Sequence, residues 1–174
     1  QGAWAEKSVE VVDVAPVWAG HPVGFSLLTD GNDLFVAFYD AERKMTVGQR
    51  TLDSKEWRLF RLPEQVGWDS HNYITMALDS TGRIHLSGNM HCVPLIYFRT
   101  REPHDCSTFE RITAMLGHEE SRVTYPQFFD GPDGSLVFTY RDGQSGSGNQ
   151  IYNTYDTSTQ TWKRLLDSPL TDGK

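Results

Sequence analysis

The stretch WDSHNYITMALDSTGRIHLSGNMH (68–91) carries a histidine near each end, His71 beside Asn72 and His91 two residues after Asn89. Further along stand Tyr125, in TYPQFF, and Arg141, in FTYRDG. Histidine and tyrosine move protons in catalysis, and arginine grips a carboxylate through two parallel N–H bonds. Glycoside hydrolysis generally uses two carboxylates flanking the bond. Asp40, Asp69 and Asp142 fall near the set, but nothing in the sequence marks two of them as partners. No G-x-S-x-G stretch announces a serine nucleophile. The set therefore fits proton abstraction beside a carboxylate: arginine neutralises the acid, and histidine and tyrosine serve as base and acid. Against this stands a structural reading of each residue alone, with the histidines as hydrogen-bonded loop groups, Tyr125 as a packed strand start and Arg141 paired with Asp142 or Asp40.

The elements that must position these residues come as a repeat. FSLLTDGNDLFVAFYD (25–40), YITMALDSTGRIHLSGN (73–89) and YPQFFDGPDGSLVFTYRD (125–142) each read as strand, Asp/Gly turn, strand. Third strands follow in KMTVGQRTL, VPLIYFRT and QIYNTYD, and fourth strands begin near Trp57, Phe109 and Trp162. The turn aspartates Asp30, Asp79 and Asp130 recur at about 50-residue intervals, the mark of four-stranded propeller blades. Period-2 alternation without helical periodicity predicts an all-β chain, a single partial β-propeller domain over 1–174. Its three four-stranded antiparallel blades would span approximately 21–63, 71–113 and 123–167. Three blades do not close a ring, so the chain is expected to be the amino-terminal part of a longer protein.

An antiparallel blade reverses at every turn, so its connections alternate between two faces. The lead-in to strand one and the loop from strand two to three share a face. That rule places His71, His91, Tyr125 and Arg141 together, with His21 and His118 on the same side. Asn72, Asn89, His21 and His118 are assigned to substrate binding on this ground. His85 falls mid-strand, where a structural role is expected, and His104 belongs to the opposite face. Cys92 is expected to begin the third strand of blade two and Cys106 to follow its end, roughly 26 Å apart, which excludes a disulfide. The same separation removes a zinc site built from both HC (91–92) and HDC (104–106). A different subset of these ligands stays open by ligand type.

Composition narrows the classes. With 16 Lys and Arg against 23 Asp and Glu, the net charge of −7 disfavours nucleic-acid binding. No apolar run is long enough for a membrane helix. The amino-terminal QGAWAEKSVEVV lacks the basic and apolar regions of a signal peptide, which leaves an intracellular protein or one whose leader has been removed.

SHNYITMALDSTGRIHLSGNMH, PLIYFRT, TYPQFF and FTYRDGQSGSGNQIYNTYD, with HPVGFSLLT and VAFYDAERKMTV upstream, resemble the BNR-4 group of sialidase-like seven-bladed propellers that includes bacterial ulvan lyases. The resemblance runs from about His21 to Pro169. It implies lyase chemistry on ulvan, the sulfated rhamnose and uronic-acid polymer of green algae. In this reading Arg141 neutralises the uronate, and Tyr125 is the general acid and also the base for one uronate epimer. His71 is the base for the other epimer, and His91 positions substrate or supports His71. It further implies no catalytic metal, though a structural ion is compatible with it. The expected location is secreted or periplasmic, and the expected partners are an anionic polysaccharide and the remaining blades, with neither nucleic acid nor membrane. The alternatives are a non-catalytic carbohydrate-binding propeller and a sialidase-like glycoside hydrolase. The turns LDSTGRIHL and DGPDGSLVF lack the Ser and Trp of the sialidase box.

Overall fold

The computed structural model describes residues 10–20 and 22–173. Each repeat folds as expected into an antiparallel sheet. The first holds β1 (Ser26–Asp30), β2 (Asp33–Tyr39), β3 (Lys44–Thr51) and β4 (Arg58–Gln65) in that order. The second repeat supplies β5 (Ile74–Leu78), β6 (Ile84–Gly88), a three-residue strand β7 (His91–Val93), β8 (Tyr97–Thr100) and β9 (Phe109–Ile112). The third holds β10 (Val123–Asp130), β11 (Leu136–Asp142), β12 (Asn149–Asp156) and β13 (Thr161–Arg164). A single 3₁₀ turn, Cys106–Thr108, is the helical element among the described residues. No helix there is long and apolar enough to cross a membrane.

The Asp/Gly turns form for local reasons. Asp79 Oδ1 accepts the N–H groups of Thr81 and Arg83, closing the turn that Gly82 completes at φ 82°. A side chain at Gly82 would also strike the His104 ring, which stacks on Phe35 and reaches Asp30 at 2.8 Å. His104 thus ties the turns of the first two sheets together on the face opposite the candidate site.

Central strands are buried on both faces. All of β6 is buried, as are Phe35, Val47, Phe98 and Phe138 on neighbouring strands, and one apolar core runs through all three sheets. The leading strands lie side by side, with β5 packed against both β1 and β10. That arrangement brings the sheet ends, and the side chains on them, to common faces.

One expectation fails. The third strand of the second sheet was expected to run through VPLIYFRT with Cys92 at its start, but only β8 (Tyr97–Thr100) belongs to that sheet. The segment carrying His91 and Cys92 crosses to the third sheet instead, where β7 pairs with β10 through Thr124↔His91 and Val123↔Val93. Cys92 is the extra residue between those pairs, a β-bulge with φ 53°. Both cysteines are free thiols.

Candidate active site

The approach to β5 begins with a turn whose first residue is Asp69: its C=O accepts from Asn72 N–H, and its Oδ1 accepts from His71 N–H at 2.9 Å. Asp at this position commonly closes a turn on itself in this way. The turn aims the His71 ring back at the same carboxylate, with Nδ1 2.5 Å from Oδ1. The other oxygen, Oδ2, lies 2.5 Å from Nδ1 of His91, delivered by β7. The two rings stack with centroids 4.0 Å apart.

The crossing of β7 therefore does more than the face rule requires, since it presses His91 onto His71 and sets both against β10. There the register shifts between Thr124 and Gln127, and Tyr125 adopts φ 59°. Such a conformation costs a non-glycine residue on the order of 1–3 kcal/mol and tends to mark functional sites. It leaves the Tyr125 side chain exposed, 5.5 Å from His71 between ring centroids.

Arg141, opposite Thr124 on β11, places its guanidinium carbon 5.0 Å from the centre of the Tyr125 ring. Its Nη2 donates to Thr124 Oγ1 at 3.2 Å and lies 3.6 Å from Cys92 Sγ. Its Nε is buried without a partner among the described residues, so part of its donor capacity is unused. The side-chain stem lies against Gly148, where an added Cβ would come within 2.6 Å of Arg141 Cγ.

Asp69 is about one-third exposed, like both histidines. Burial, the largest influence on its carboxyl, works to raise it. Hydrogen bonds from the His91 ring and from the His71 backbone and ring outweigh that and hold it well below the usual carboxylate range. Asp69, His71 and His91 present ligand atoms within 4.8 Å of one another, a set that also suits a metal ion. Around a tetrahedral zinc such N and O ligands would stand roughly 3.4 Å apart, given metal–ligand bonds of about 2.0–2.2 Å. The observed 2.5 Å separations are too short for two ligands of one metal ion and fit ring-to-carboxylate hydrogen bonds.

The structure thus brings together His71, His91, Tyr125 and Arg141. The residues assigned to substrate binding fare differently. Asn72 is buried, and its C=O accepts from Tyr39 OH at 2.6 Å. Asn89 turns its amide to Glu64 and to the Gln65 C=O. These contacts help hold the turn and strand end that carry the histidines. His118 sits at the outer strand β13, beside Arg164 at 3.3 Å and Glu119 at 3.7 Å, apart from the cluster. His21 lies outside the described residues. Asp69 is the residue whose part the sequence reading left open; the Asp-x-His spacing marks the His71 turn, but its bond to His91 exists only in the fold. A cavity of about 800 Å³ lies on the opposite face between the turns at Ser80, Asp133 and Asp156 and holds none of these groups.

Residues 33–174 match the BNR repeat-containing family. Ulvan lyases (long isoform) from Glaciecola sp. (strain KUL10) and Pseudoalteromonas sp. (strain PLSV) are each 43% identical, over 45 and 42 residues. Those stretches cover 26% and 24% of this chain and 4% of each relative's length. Among solved structures, polysaccharide lyase Uly1 superposes with a TM-score of 0.72 at 19% identity, covering 91% of this chain and 44% of that one. A PL25 ulvan lyase bound to -[GlcA(1-4)Rha3S]- superposes with a TM-score of 0.63 at 16% identity, covering 92% and 39%. The chain therefore spans less than half the length of these lyases.

Proposed function

Because the chain belongs to the BNR repeat-containing family, and its sheets superpose on those of polysaccharide lyases, we propose that it is part of a lyase that cleaves a uronate-containing, ulvan-like polysaccharide by β-elimination. Its three sheets would be blades of a ring, seven-bladed in the full protein. The observation that carries this reading is the convergence of His71, Tyr125 and Arg141 from three strand ends.

Arg141 would bind the uronate carboxylate through its guanidinium and stabilise the charge that grows there as the neighbouring C–H bond weakens. The base, His71 or Tyr125 according to the uronate epimer, takes the proton from C5. The electron pair forms the C4=C5 bond, the C4–O bond breaks, and Tyr125 donates a proton to the departing oxygen. The stack of Arg141 on Tyr125 keeps the neutraliser and the acid at a constant separation. His91, stacked on His71, supports that ring. A polysaccharide substrate is met outside the cytoplasm, so the protein would be secreted or periplasmic.

The test is to incubate the full-length protein with ulvan and with other uronate polymers and follow the ultraviolet absorbance of the conjugated unsaturated uronate. Wild type should produce it and Arg141→Ala should not. Retained polymer binding without any absorbance rise would replace the lyase with a glycan-binding propeller.

A further inference from the structure

We infer that Asp69 is the positioning residue of the histidine pair: one carboxylate, with an oxygen for each ring, holds both imidazoles as Nδ1–H tautomers and leaves both Nε2 atoms as the proton acceptors. The inference rests on the lyase reading for its catalytic consequence, but its structural half stands alone. An ionised carboxylate only accepts hydrogen bonds. Both oxygens of Asp69 are occupied by imidazole Nδ1 atoms at 2.5 Å, so each Nδ1 carries the proton. In a neutral ring the remaining nitrogen, Nε2, is then the unprotonated one. This is the arrangement that a carboxylate imposes on a catalytic histidine in hydrolase triads, here imposed on two rings at once.

The shared carboxylate also couples the rings. They stack at 4.0 Å, so the orientation of one imidazole constrains that of the other. The other titratable or charged groups around the pair are Tyr125 from β10, Arg141 from β11, Cys92 from β7 and Tyr73, which is electrostatically coupled to Tyr125. Among the described residues, none of these hydrogen-bonds to either imidazole, which leaves Asp69 to set the tautomers. His91 is thereby not a bystander: it shares the carboxylate and packs on the His71 ring.

The experiment labels the histidine rings with ¹⁵N and reads their tautomers in the full-length protein by NMR, alongside steady-state kinetics on a uronate polymer. In wild type, the His71 and His91 signals should show protonated Nδ1 and bare Nε2. Asp69→Asn keeps the turn, since its side-chain oxygen still accepts the His71 N–H, but its amide donates where the carboxylate accepted. At least one ring should switch to Nε2–H, and kcat should fall about 100-fold or more while KM changes little. Nε2–H tautomers in wild type, or unchanged tautomers in Asp69→Asn, would overturn the inference, as would a loss confined to KM. So would a tightly held metal ion in wild type that Asp69→Asn loses, because the three groups would then be ligands. The expected tautomers in a protein that performs no elimination would retain the positioning role and sink the lyase reading instead.

Discussion

The molecule builds two assemblies from the same residue types. At the candidate site Asp69, His71, His91 and Tyr125 sit about one-third exposed or more, with the half-buried Arg141 beside them. Between the second and third sheets, Asp79, His85, Tyr97, Tyr155 and Arg99 form a second set around Trp162, with His85 at 0% exposure. The inner set is bonded ring to ring. Trp162 Nε1 donates to Tyr97 OH at 3.2 Å, Tyr97 donates to His85 Nδ1 at 2.7 Å, and His85 Nε2 faces Asp79 at 3.4 Å. Arg99 donates to Tyr155 OH at 2.7 Å. The His85 protons run the opposite way to those of the outer pair, with Nε2 as the donor. Burial pushes His85 below the usual imidazole range and Tyr97 above the usual phenol range, so both stay neutral. The difference teaches that these side chains become structure where their rings are buried against one another, and stand ready for chemistry where strand ends hold them at the surface.

That contrast breaks most sharply on the two tyrosines. Tyr125→Phe should lower kcat on a uronate polymer by about 10²–10⁴-fold while shifting stability by less than about 0.5 kcal/mol, measured by initial rates and denaturant unfolding. Tyr97→Phe should do the reverse. It strands His85 Nδ1 and Trp162 Nε1 in the core and should cost about 2–4 kcal/mol of unfolding free energy, with kcat close to wild type. Equal effects on both readouts for either variant would erase the distinction.

Acid sharpens it. Burial works to raise the Asp79 carboxyl, but hydrogen bonds from His85, Thr81 and Arg83 outweigh that and hold it at about 2. A depressed carboxyl contributes stability that is present above its unfolded value and lost as pH falls through the folded one. Asp79 should therefore account for about 2 kcal/mol that disappears between about pH 4 and pH 2. His85, also depressed in the fold, should add a loss beginning below about pH 6.5. Urea unfolding across this range in wild type and Asp79→Asn checks both, and an acid limb unchanged in the variant would remove Asp79 as its source. The smallest expected effect is at Gly148. Gly148→Ala drives a methyl into the Arg141 stem and should reduce kcat/KM about tenfold through misplacement of the guanidinium, with little change in unfolding midpoint.

The repeat was legible because its signals are local. Asp30, Asp79 and Asp130 mark turns that close on their own neighbours, and the strands around them alternate over enough residues to be read. His85 was also correctly read as structural from its mid-strand place. The path of β7 was not legible, since three residues hold no periodicity and their pairing with β10 joins segments some 30 positions apart. The same reason hid the contacts of Asn72 and Asn89 with Tyr39 and Glu64 of the first sheet.

By itself the sequence determined an all-β chain of three repeated sheets, and the alternation of chain direction put the histidines, Tyr125 and Arg141 on one face. Only the tertiary structure decided that they touch. It carried β7 onto the neighbouring sheet, bulged β10 at Tyr125 and gave Asp69 two histidines to hold. Turns and strand periods are encoded by neighbouring residues, whereas a hydrogen bond between Asp69 and His91 depends on where two separate strands come to rest.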